Sequence, residues 1–113
     1  MAFILKQSDT YSWPVAVEFP VDGGRFEKQT FDAEFKRLPQ DRIEVIRQDV
    51  LGDTATDRSV CVEVLVGWKG ITDDSGDVPF SEKARDDLLN IPLVPRAVMT
   101  AWMDSLSGAK RKN

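Results

Sequence analysis

Between residues 13 and 36, apolar and polar side chains alternate in two runs separated by Asp22-Gly23-Gly24. This pattern restricts the fold more than any other feature of the chain. Val15, Val17 and Phe19 alternate with Pro14, Ala16 and Glu18. In the second run Phe31, Ala33 and Phe35 share one face, opposite Thr30, Asp32 and Glu34. A period of two marks a half-buried strand, and Asp-Gly-Gly between two such runs marks a hairpin turn. Pro14 stands near the start of its run, where a strand tolerates proline best. Phe26 is out of phase with Phe31, so the pattern predicts a bulge or a change of face between them. A lone two-stranded hairpin is marginal in water. Its aromatic face must therefore be covered by the rest of the chain or by a partner.

The remainder reads mainly as helix. Pro39 fits the first helical position, and Asp41 and Glu44 suit the positive end of a helix dipole. Ile43, Ile46 and Val50 follow helical spacing, and Gly52 supplies a stop. The segment Ser59–Trp68 fits two patterns. Val60, Val62, Val64 and Val66 alternate as in a strand, while Cys61, Val64, Leu65 and Trp68 recur as on a buried helix. Residues 69–79 read as a loop, Ser81 as the cap of a short helix ending at Leu89, and Pro95 as the opening of a last helix. Val94, Val98, Ala101 or Trp102, and Leu106 form the apolar stripe of that helix, and Gly108 closes it.

Composition narrows the chemistry. The 113 residues suit one domain, and three Trp, six Phe and one Tyr supply material for a core. There is no histidine, which removes the commonest general base and metal ligand. One cysteine, Cys61, excludes an intramolecular disulfide and a cysteine-cluster metal site. Its apolar neighbours make it a small buried hydrophobe in a reducing compartment. Asp73, Ser75 and Asp77 sit at calcium-loop spacing, but Val78 and Ala84 stand where that loop requires Gly and Glu. No nucleophile motif or phosphate loop is present. The expected protein is not an enzyme and has no catalytic residue, metal or cofactor.

Lys110, Arg111 and Lys112 form a basic tail, but the rest of the chain carries 12 basic against 19 acidic side chains. That balance argues against nucleic acid as a partner. No apolar stretch is long enough to cross a membrane, and the start of the chain lacks the basic region of a signal peptide. Trp68 and Phe80 flank a loop and Trp102 lies on the last helix. Each aromatic is either core or the edge of a groove for a partner peptide. Trp68 is expected to pack under the loop leading to Phe80, with Gly67 and Gly70 giving the backbone room to turn.

Two segments carry a family resemblance. Val64-Leu65-Val66-Gly67-Trp68-Lys69-Gly70-Ile71, followed by Asp73-Asp74-Ser75-Gly76-Asp77-Val78-Pro79-Phe80-Ser81, resembles the signature of phage tail assembly chaperones. Gly23-Gly24-Arg25-Phe26, continuing to Phe35-Lys36-Arg37-Leu38, is similar to a second stretch of that family. Leu88-Leu89-Asn90-Ile91-Pro92, then Arg96-Ala97-Val98, and the ending Ser107-Gly108-Ala109-Lys110-Arg111-Lys112-Asn113, add support. The likeness runs in order over residues 13–113. Pro95 departs from it and implies a later start for the last helix.

The resemblance implies a chaperone of tail morphogenesis in long-tailed phages and prophages. Such a protein binds the helical tape measure protein, and in some cases tail tube subunits, in the cytoplasm of the bacterial host, and is absent from the mature virion. It also tips Ser59–Trp68 toward helix. The expected fold is then α+β: an N-terminal antiparallel β-hairpin followed by about four α-helices in one small domain. Residues 1–12 form an extension, 13–108 the domain, and 109–113 a flexible basic tail. Trp68, Lys69, Gly70, Phe80 and Trp102 are the expected partner-binding residues, and self-association through the hairpin edge is a further expectation. Lambda-like relatives make a second, longer form by a ribosomal frameshift, and residues 109–113 are where such an extension is expected. Two other classes fit the same residues: a structural tail completion or connector protein kept in the virion, and a small adaptor of a host protein.

Overall fold

The computed structural model describes residues 1–108; the expected basic tail and frameshift site lie outside the described residues. The hairpin pattern becomes β1 (Thr10–Val21) and β2 (Arg25–Lys36), joined through Asp22-Gly23-Gly24. Both turn glycines have positive φ, 84° and 74°, which a side chain would resist. There follow α1 (Gln40–Leu51), α2 (Asp57–Val64), β3 (Leu65–Lys69), the short pair β4 (Thr72–Asp73) and β5 (Gly76–Asp77), α3 (Glu82–Leu89) and α4 (Val94–Leu106). The fold is a small α+β domain with an antiparallel sheet of order β1-β2-β3.

The inward alternation holds. Val15, Val17, Ala33 and Phe35 are buried, with Tyr11, Trp13, Phe19 and Phe31 packed beside them. Helix α4 lies across β1 and packs on α2, burying Val94, Val98, Met99, Ala101 and Trp102. The Tyr11 hydroxyl and Ser105 Oγ, 2.6 Å apart, join β1 to the end of that helix. Helix α1 buries only Ile46 completely. Arg42 of α1 donates two hydrogen bonds to Glu63 of α2, at 2.6 and 2.8 Å. The guanidinium holds the Glu63 carboxyl below its ordinary range, chiefly through these hydrogen bonds.

Several boundaries differ from the sequence pattern. β1 begins at Thr10, so the extension ends at Asp9 rather than at residue 12. The β1–β2 register runs unbroken from Thr10↔Lys36 to Val21↔Arg25, so no bulge accompanies Phe26. Phe26 simply faces outward opposite Pro20 and is 68% exposed. The irregularity lies on the other side of β2, between Glu34 and Phe35, where β3 pairs. Ser59–Trp68 is neither all strand nor all helix. Thr56 and Ser59 form a reciprocal capping box that starts α2, and at Leu65 the chain turns extended to pair with β2. Pro39 caps α1 rather than occupying its first position. Pro95 does not delay α4, which begins one residue earlier behind Leu93 at φ 77°.

Cys61 is fully buried, its thiol within 3.5 Å of the Pro95 carbonyl. Desolvation, and secondarily the charge of Asp57, push its pKa up to about 12. Thiolate is therefore scarce at pH 8 in the folded chain. Iodoacetamide followed by mass spectrometry is expected to leave Cys61 unmodified in buffer and to alkylate it fully in denaturant. Phe35→Ala, at the centre of the sheet, is expected to cost about 3–5 kcal/mol in urea unfolding, as for other buried aromatics.

Candidate binding surface

Trp68 lies on β3 opposite Ala33, half-buried. Its Nε1 donates to the Val78 carbonyl at 2.8 Å, and the Phe80 ring meets it edge-on with centroids 4.9 Å apart. Trp68 therefore clips the β4–β5 loop onto the sheet. Gly70, at φ 89°, turns the chain off β3 beside Phe31, where an added Cβ would lie 3.7 Å from the Phe31 Cα. At Gly67 a Cβ would fall 2.6 Å from Glu34 Oε1 and 3.2 Å from its Cβ, so the bare backbone makes room for the carboxylate side chain across the sheet.

Trp68, Lys69 and Phe80 line one hollow of about 350 Å³, together with Asp32 and Glu34. Gly70 lies outside that hollow, under the hairpin. Trp102 is set apart from all four. It is 3% exposed and belongs to the core, so it is not a free anchor for a partner. It instead forms part of the floor of a second, more apolar surface.

That surface is a groove of about 320 Å³ between α1 and α4. Ile43, Ile46, Val50 and Leu51 line one wall, and Met99, Trp102, Met103 and Leu106 the other. Arg47 is the charged residue on its margin. Leu51 is 80% exposed, Met103 54% and Leu106 40%, so the rim is apolar as well as the floor. A larger hollow of about 960 Å³ adjoins it and shares Ile43, Trp102 and Leu106 with it. In that hollow Arg37 lies over the Tyr11 ring at 4.8 Å.

Sequence reasoning missed Leu51 and Met103. For Met103 the available signal was the width of the apolar face on α4. Val94, Val98, Met99, Ala101, Trp102, Met103 and Leu106 cover more of the helix than one packing partner needs.

Among the described residues no group of three His, Cys, Asp or Glu side chains is placed to hold a metal. Asp73 Oδ1 instead accepts from the Ser75 amide at 2.8 Å, within a tight turn. Among the described residues no helix is long and apolar enough to cross a membrane. Comparison with protein-family models, with curated proteins and with solved structures found no match to this chain.

Trp68 is only part-buried, so Trp68→Ala is expected to cost about 2–3 kcal/mol in urea unfolding, short of the ~3–5 kcal/mol of a fully enclosed aromatic. Trp68→Phe keeps an aromatic ring, though a smaller one, and drops the bond to Val78, and should cost about 1–2 kcal/mol. Equal losses for the two variants would mean that the hydrogen bond, not the ring, holds the loop.

Proposed function

We propose that the protein is a non-catalytic tail assembly chaperone that holds a helical segment of a phage tape measure protein in the cytoplasm of the bacterial host. The observation that carries this reading is the α1–α4 groove, apolar on both walls and, apart from Arg47 and Ser107, along its rim. An amphipathic helix buries its apolar stripe in such a groove through side chains spaced three and four residues apart. The net charge of −4 keeps the loaded complex soluble. The resemblance over residues 13–113 supplies the identity of the client. The groove argues only for a helical, apolar one.

Within this reading Met103, Leu51 and Leu106 grip the client, and Trp102 supports them from below. Trp68 and Phe80 serve by fixing the loop above the acidic hollow. Tail tube subunits are the second partner that the resemblance brings. A connector kept in the particle gains no support from an additional observation.

The test is co-expression with the tape measure protein of the phage or prophage that encodes this chain, followed by affinity capture and by mass spectrometry of purified virions. Wild type is expected to retain the tape measure protein, and virions are expected to lack the chaperone. Met103→Glu places a charge on the exposed rim, where folding is little disturbed, and should lower capture at least tenfold. Capture unaffected by Met103→Glu would move the client off this groove. The protein found in stoichiometric amount in virions would make it a structural component.

A further inference from the structure

Residues 1–9 carry Phe3, Ile4 and Leu5, which are 89%, 66% and 92% exposed. Three consecutive large apolar side chains in water are a docking element without its site. The root of this arm is fixed. The Arg37 amide donates to the Asp9 carbonyl at 2.9 Å, and Arg37 Nε donates to Ser8 Oγ at 3.3 Å. Gln7, Ser8 and Asp9 form part of the wall of the large hollow. That hollow shares Ile43, Trp102 and Leu106 with the α1–α4 groove, so the arm leaves the body beside that apolar surface.

We infer that the Phe3-Ile4-Leu5 arm of one copy docks in the α1–α4 groove of a second copy, and that two copies exchange arms reciprocally in a closed dimer. Two observations select a second copy over the chain's own arm. Gln7 Nε2 donates to the Ile4 carbonyl at 2.6 Å and holds residues 4–7 in a tight turn. In that turn Phe3, Ile4 and Leu5 stay off their own groove, as their exposure records. Each arm brings three apolar side chains, one of them aromatic, to the groove, a small contact that suits a weak dimer formed as concentration rises.

The route through backbone pairing is poor on β1. A paired strand directs alternate N–H groups outward, and Pro14 and Pro20, which have none, fall on the outward set. Reciprocal exchange closes the assembly at two copies, because each arm and each groove is then used.

This inference does not rest on the tape measure reading, although both use one groove. If both hold, the client helix displaces the partner's arm. The test is sedimentation velocity of the full chain from 1 to about 200 µM. Wild type is expected to sediment as a dimer at the upper end. The double variant Phe3→Ser/Leu5→Ser and the rim variant Leu51→Glu are each expected to be monomeric there, with unchanged far-UV circular dichroism. An equimolar mixture of the two variants contains one intact arm and one intact groove, and is expected to recover a dimer at least tenfold weaker than wild type. Three results would overturn the proposal: a wild-type monomer throughout, as an arm lying in its own groove would give; dimers that persist in both variants; or a mixture that stays monomeric. Loss of dimer with tape measure capture intact would leave the client reading standing, and the converse would leave the arm exchange standing.

Discussion

The contact on which the rest depends is the seating of α4 against the inner face of β1. Val15 and Val17 on the strand and Val98, Ala101 and Trp102 on the helix are all buried, and the Tyr11–Ser105 hydrogen bond fixes the axial position. Without that cover the hairpin would present its aromatic side to water, and two strands cannot bear that alone. With it in place, α2 packs against α4 from behind and delivers the chain at Leu65 to the open side of β2. The third strand is thus a consequence of where α2 ends.

Helix α1 is held differently. Its hold on the body is one buried isoleucine, two partly covered residues and an exposed bidentate ion pair. Exposed pairs of this kind contribute about 1 kcal/mol or less. The small apolar contact is what leaves a gap between α1 and α4, so the groove and the loose seating of the helix have one cause. A helix packed as tightly as α4 would have closed the gap.

How much of this the sequence discloses follows from whether a signal is local. The hairpin, its glycine turn, the cap at Ser81 and the stop at Gly52 are readable because each depends on a few adjacent residues. The switch inside Ser59–Trp68 is not. Both periodicities overlap there, and the switch at Leu65 goes with pairing to the open edge of β2, a contact distant in sequence. The same limit explains Trp68 and Trp102. Composition marks both as candidate anchors, yet one clips a loop and the other lies under a groove, and no spacing rule separates those fates. Phe26 shows the reverse case. It broke the alternation because it faces outward, and a bulge was not needed.

The Tyr11–Ser105 link also has a consequence in time. It joins residues 94 positions apart, so the strand that is made first waits for the last of the described helices. At ribosomal rates of about 5–20 residues per second, the roughly 70 residues between the end of β2 and the end of α4 take about 4–14 s to appear. Throughout that interval the nascent chain carries an uncovered aromatic ribbon, shielded at its outer edge only by Pro14 and Pro20. Those two prolines therefore matter most before the domain exists. They protect a half-made protein from its neighbours on the same message.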